Sequence, residues 1–279
     1  MLPEPERRTM RATAVRRTAL AACAVSLTLL VTACGGSSDA EDGKNDKGGA
    51  ANGADSAPKT SAKALSAAEL ETASLKQGDV EGHKIAKTGP DDEMPEGGVT
   101  VDKEACLPVA HAMYGVAQKG SAATAKRKVV SEPKKADAKK SVEDLTDGDA
   151  EDVLKAAFDV TSTFIALHAY EGTAGPDTFA ALKKAAGECA GGFTATIAGE
   201  PQKVVSVTEE KVTGGDESAA WTVTAMGDGD DQVPTKLVAL REEGTVATFY
   251  SVNLAAMGGR SVKFPVPTEV VAAQAKKLG

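Results

Sequence analysis

The sequence predicts an α+β domain, an antiparallel sheet of about five to six strands flanked by helices, preceded by a signal peptide and a disordered tether. Three observations carry that expectation. Helical patterns come mostly first, a meander of strand-like runs separated by glycine and aspartate turns follows, and a helical pattern closes the chain. The ten aromatic residues all lie between Tyr114 and Phe264, so the folded unit is smaller than the 279-residue chain. From Gly35 to Ala64 there is no Ile, Leu, Val, Met, Phe, Tyr or Trp. Nothing there can offset the entropy of ordering, which predicts a disordered linker.

Residues 1–33 read as an export signal. Arg7, Arg8, Arg11, Arg16 and Arg17 face only Glu4 and Glu6, and an uncharged apolar run follows from Ala19 to Ala33. That run is about 15 residues, shorter than the roughly 20 a spanning helix needs, and small residues close it. Its end, Leu30-Val31-Thr32-Ala33-Cys34-Gly35, resembles the bacterial lipoprotein box. The resemblance implies cleavage before Cys34, a diacylglycerol on its thiol, and the membrane as a partner through that lipid anchor. Two or more acyl chains give stable anchoring where one does not, at about 0.8 kcal/mol per buried CH₂. The expected organisation is a signal peptide over 1–33, a lipidated linker over 34–64 and an extracytoplasmic domain over 65–279. The linker's reach is about 30 Å by random-coil scaling.

Processing changes the arithmetic. The 32 basic and 40 acidic side chains become 27 and 38, so the net charge moves from -8 to -11. That acidity, with a whole-chain pI of 5.1, speaks against nucleic-acid binding. Of four cysteines, Cys23 leaves with the signal and Cys34 takes the lipid. Cys106 and Cys189 remain, and an oxidising compartment predicts a disulfide between them. Closing so long a loop is worth about 4.5 kcal/mol in the chain-entropy account, and is expected to fasten the N-terminal helical part to the sheet.

Within the domain, Ser66-Ala67-Ala68-Glu69 is a capping-box pattern that starts a helix through Leu70, Ala73 and Leu75. The glycine- and proline-punctuated stretch from Asp79 to Thr100 predicts a loop with one short strand near Lys84-Ile85-Ala86. Val101 to Gly115 predicts a helix capped by Asp102, with Pro108 confined to its first turn. Lys119 to Lys140 is rich in lysine, and an acidic block from Glu143 to Asp152 follows. Residues 119–152 are therefore expected as a flexible, solvated charged excursion, with contact to anionic envelope components as the alternative. Asp152 to Phe158 looks helical, and Val160 to Leu167 suits a strand.

Gly175-Pro176-Asp177 opens a helix that ends near Gly187. Strand patterns then run over Phe193–Ala198, Val204–Val212, Ser218–Met226, Thr235–Arg241 and Thr245–Leu254, with turns at Gly214-Gly215-Asp216, Gly227-Asp228-Gly229-Asp230 and Glu243-Gly244. Pro267-Thr268-Glu269 opens a closing helix to Leu278.

Motifs for chemistry are sparse. His83, His111 and His168 are too widely spaced for a local metal site, no G-x-S-x-G places a nucleophile, and no glycine-rich loop suits a phosphate. The reading is therefore non-catalytic, with no cofactor and no metal. The Gly227–Asp231 carboxylates could meet calcium, but glycine and aspartate between strands serve a hairpin turn equally. Trp221 and Tyr250 are the candidate ligand-binding residues. Trp221 alternates with Val223 and suits a core anchor, and the adjacent Phe249 and Tyr250 point to opposite faces of their strand.

Ala68-Glu69-Leu70, Ala73-Ser74-Leu75, Gly82-His83-Lys84-Ile85 and Cys106-Leu107-Pro108, followed by a helix ending at Cys189 and strands around Trp221 and Val246–Val252, form a pattern. It resembles secreted actinobacterial lipoproteins related to the extracellular sensor-like domain of the receptor kinase PknH. The resemblance covers residues 65–279. It implies a central antiparallel sheet flanked by helices, with a groove for a small-molecule or envelope-component ligand, and it brings no enzymatic activity with it. One cysteine pair stands here where that domain has two disulfides. A carrier of lipid or other apolar molecules is the alternative. A wall hydrolase would need a carboxylate pair or Ser/His set that these residues do not assemble.

Overall fold

A computed structural model describes residues 63–95, 97–132, 158–227, 229, 231–258 and 264–279. Ser66 caps helix α1 (Ala67–Ala73): its hydroxyl accepts from the Glu69 N–H at 3.3 Å and the Glu69 carboxylate accepts from the Ser66 N–H at 2.7 Å, the reciprocal box expected from the sequence. Strand β1 (His83–Lys87), a 3-10 turn at Pro90–Asp92, strand β2 (Val99–Val101) and a second 3-10 turn at Glu104–Cys106 lead into helix α2 (Leu107–Met113). Strands β3 (Ala123–Ser131) and β4 (Thr161–Ala169) precede helix α3 (Ala174–Glu188). The hairpin series β5 (Phe193–Ile197), β6 (Glu200–Glu210), β7 (Glu217–Met226), β8 (Gln232–Glu242) and β9 (Thr245–Asn253) follows, with short α4 (Leu254–Met257) and closing α5 (Thr268–Leu278).

All nine strands join one sheet in the order β1-β3-β4-β9-β8-β7-β6-β5-β2, and every pairing is antiparallel. The α+β class holds, with more strands than the five to six expected. The period-2 alternation of side chains divides the core into two layers. On one face Trp221, Val223, Leu237, Ala239 and Val246 pack against α2 and α3 through Val109, Met113, Phe179 and Leu182. On the other, Ile165, Leu167, Val238, Leu240 and Phe249 pack against Leu70 of α1 and Val270 and Val271 of α5. Helices therefore cover both faces. The small side chains Ala125, Ala220, Ala239 and Ala247 are buried at the sheet surface. They let helices approach closely, which is how a domain poor in aromatics reaches a dense core.

Two strands were not foreseen. Val99–Val101 extends the sheet as β2 instead of opening a helix. Asp102 does not cap α2, since its carboxylate accepts from the Thr194 N–H at 2.8 Å and ties β2 to β5. The charged excursion over 119–152 is overturned in its first part by β3, whose Ala125, Arg127 and Val129 are buried on one face while Lys126 and Lys128 point to the other. Residues 133–152 lie outside the described residues, as does most of the helix expected over Asp152–Phe158. The signal peptide, Cys34 and nearly all of the linker lie outside them too. Among the described residues no helix is long and apolar enough to cross a membrane.

Gly192 is required between α3 and β5. Its φ is +84°, and a Cβ there would come within 2.3 Å of the Val204 carbonyl oxygen, which no rotamer change relieves.

Candidate functional site

β1 and β2 are the two edge strands, yet they are separated by a short stretch of chain. Twelve residue steps reach about 40 Å fully extended, close to the roughly 38 Å width of nine flat strands. The 3-10 turn at Pro90–Asp92 and the Pro95–Gly98 turn (Gly98 N–H to Pro95 O, 2.8 Å) shorten that reach. The connection therefore has to run straight across one face of a curled sheet. It forms a strap over β3 and β4 on the side that carries α2.

Beneath the strap is a cavity of about 270 Å³. Lys126 of β3, Phe164 and Ala166 of β4 and Tyr250 of β9 make its floor. Thr88 to Met94 of the strap form one wall, and Met113, Tyr114 and Gly115 at the end of α2 form the other. Three of the chain's ten aromatics thus meet at one cavity, with two methionines. The Tyr114 and Tyr250 rings lie 6.1 Å apart and tilted. A second, more open hollow of about 530 Å³ adjoins it, sharing Thr88, Glu93, Met94, Gly115 and Lys126.

Two ion pairs hold the strap to the floor. Lys126 Nζ donates to Glu93 at 2.6 Å, and Lys128 Nζ donates to Asp92 at 3.0 Å while lying 5.0 Å over the Phe164 ring. Burial pushes the Glu93 carboxyl up, but hydrogen bonds from Lys126 and Thr88 outweigh it, and the group ends below the usual carboxylate range. The Gly89 N–H and then Lys128 lower Asp92. Burial raises both phenols, Tyr114 and, more strongly, Tyr250, so both stay neutral donors.

Further along the same sheet face lies a small pocket of about 20 Å³ against α2 and α3. His168 Nδ1 meets Thr124 Oγ1 at 3.0 Å there, and burial, with Lys126 nearby, holds the imidazole down at about 4. The neutral ring is a packing element, and His83, His111 and His168 are not gathered into a metal group among the described residues.

The structure separates the two candidate ligand-binding residues. Tyr250 lines the cavity. Trp221 is 5% exposed inside the core layer shared with α2 and α3, so its indole packs in the core and does not line the cavity. Cys106 and Cys189 form the disulfide, with Cα atoms 5.8 Å apart. It joins the start of α2 to the end of α3, helix to helix, where a helix-to-sheet link was expected. In the Gly227–Asp231 turn the Gly227 N–H donates to the Asp231 carbonyl at 2.8 Å, and Asp228 and Asp230 lie outside the described residues.

Sequence reasoning missed Phe164, Lys126 and the strap acids. Phe164 sat in a strand already foreseen, but its face could not be assigned without the register. Lys126 was hidden in a lysine-rich run. The Asp91-Asp92-Glu93 triplet stood in an unstructured-looking loop, and its proximity to β3 depends on pairings far apart in sequence.

No family model matches the chain, and no curated protein matches it. Among solved structures it is similar to the extracellular domain of PknH from Mycobacterium tuberculosis, with 14% sequence identity and a TM-score of 0.42, over 77% of this chain and 97% of that one.

Proposed function

We propose that the chain is an envelope lipoprotein, anchored through Cys34 on the extracytoplasmic side of the cell membrane, whose non-catalytic domain binds a small ligand beneath the Thr88–Met94 strap. The observation that carries the binding role is the cavity itself. In a chain with ten aromatics, Tyr114, Phe164 and Tyr250 converge with Met94 and Met113 on about 270 Å³. Apolar lining with a few polar groups at the mouth is the usual composition of a small-molecule site. The arginine-rich start, the short apolar run and the Cys34 box support the anchor.

The anchor is tested by fractionation. Cys34→Ala should release the protein from membranes, and persistent membrane association of that variant rules the anchor out. The groove is tested on the soluble Cys34→Ala form with a neutral apolar dye, N-phenyl-1-naphthylamine. Its emission should rise on binding and fall back in Ala166→Leu, which places three more carbons on the cavity floor. A dye signal unchanged by Ala166→Leu, in a variant with an unaltered melting curve, removes the groove as the site. The adjoining 530 Å³ hollow supports the second reading, a carrier of longer apolar molecules. Co-purified lipid in native mass spectrometry would select it.

A further inference from the structure

We infer that the cavity beneath the strap selects a small amphipathic cation, with an aromatic or aliphatic body inside and an ammonium group at the Asp91–Glu93 lip. The inference rests on the reading of this groove as a ligand site and adds the chemical class of the ligand.

The charge arrangement is the first argument. Three consecutive carboxylates, Asp91, Asp92 and Glu93, line the cavity at its strap wall. Lys128 takes Asp92 and Lys126 takes Glu93. Asp91 is exposed and has no ion pair among the described residues. The lip therefore carries a surplus negative charge, on a protein whose net charge is -8. An incoming anion meets that field unfavourably and a cation meets it favourably.

The second argument is that an ammonium group already sits at the edge of this site, against two residues that line it. Lys128 Nζ is placed at once against the Asp92 carboxylate, 3.0 Å away, and over the face of Phe164, 5.0 Å from its centroid. A carboxylate combined with an aromatic face is the environment that recognises an alkylammonium. Tyr114 and Tyr250 extend the aromatic surface inward, and Met94 and Met113 can adapt to the body of the ligand. At about 270 Å³ the chamber suits one small bicyclic ring system rather than a long chain.

The experiment uses three molecules with the same indole ring and different charge: tryptamine, tryptophol and indole-3-acetate. Each displaces N-phenyl-1-naphthylamine from the soluble Cys34→Ala protein at neutral pH and low salt. Tryptamine should displace at about a threefold to fivefold lower concentration than tryptophol, and indole-3-acetate should be the weakest. Asp91→Asn, an exposed substitution, should shrink the tryptamine advantage over tryptophol towards unity. Lys126→Gln, which frees Glu93, should enlarge it. If indole-3-acetate or tryptophol displaces as well as tryptamine, or if Asp91→Asn leaves the ratio unchanged, the cation assignment is overturned while the groove stands. If the dye itself fails to bind, the groove reading falls and the assignment falls with it.

Discussion

His168 is 3% exposed and its imidazole is held at about 4 by burial, against an ordinary value of 6.5. The unfolded chain takes up a proton near pH 6.5 that the folded ring refuses until about pH 4, so the folded state is favoured above 6.5 and loses ground as the pH falls through that window. His111 is lowered by burial as well and acts with the same sign. Glu71 works in a lower range: hydrogen bonds from Arg127 and then Lys87 lower it to about 2, so its contribution is lost only below about pH 4.5. The interval from pH 6.5 to 5 therefore isolates the histidines. Urea denaturation should show the domain losing about 2 kcal/mol between pH 7 and 5, and His168→Gln should flatten most of that slope. A His168 imidazole seen by NMR to titrate near 6.5 would contradict the burial argument.

At the scale of elements, β3 is the strand that organises both faces. Its buried Arg127 donates to the Leu75 carbonyl at 3.0 Å and to Glu71 at 2.9 Å, clamping α1 from one side. Its neighbours Lys126 and Lys128 clamp the strap from the other. Partly exposed ion pairs are worth about 0.2–1 kcal/mol each, enough to bias a loop but not to lock it. The double variant Lys126→Gln/Lys128→Gln should therefore speed amide hydrogen exchange over Thr88–Met94 about fivefold, with the amides of β7 and β8 unchanged. Raised salt should do the same to the native protein. Equal strap exchange in the two proteins would show that these pairs do not hold it. β3 also explains where the sequence was hard to read. Lysines occupied the strap-side positions of its alternation, and only Ala125 and Val129 advertised the buried face. By contrast, the Ser66–Glu69 box and the Thr268–Leu278 helix were legible, because caps and helical periodicity are local signals.

For the whole molecule, stability depends on joining segments distant in the chain. Gln274 of α5, fully buried, donates to the Ala73 carbonyl at 2.7 Å and accepts from the Leu75 N–H at 3.2 Å, so the last helix closes over the first. The Cys106–Cys189 disulfide spans 83 residues and fixes α2, the wall of the cavity, to α3. Replacing both cysteines by alanine should lower the unfolding free energy by about 4.5 kcal/mol in the chain-entropy account, measured by urea denaturation under oxidising conditions. A loss under about 1 kcal/mol would mean that helix packing alone positions α2. A cavity walled by α2 should then keep its dye affinity as well.

The sequence by itself determined the α+β class, the starts of α1, α3 and α5, the hairpin series from Phe193 to Asn253 and the pairing of Cys106 with Cys189. These follow from local periodicity, turn chemistry and cysteine arithmetic, which act over a few residues or need only a count. Tertiary structure alone decided that β1 and β2 become opposite edges of one nine-stranded sheet, and that the chain between them must cross its face as a strap. It also put Tyr250 in a cavity and Trp221 in the core. Both lie on strands with good alternation, and what separates them is what meets their face: Trp221 is buried in the core layer that α2 and α3 complete, whereas over Tyr250 the strap and the end of α2 leave a space. Alternation fixes which side chains share a face, and the packing of distant segments fixes what that face meets.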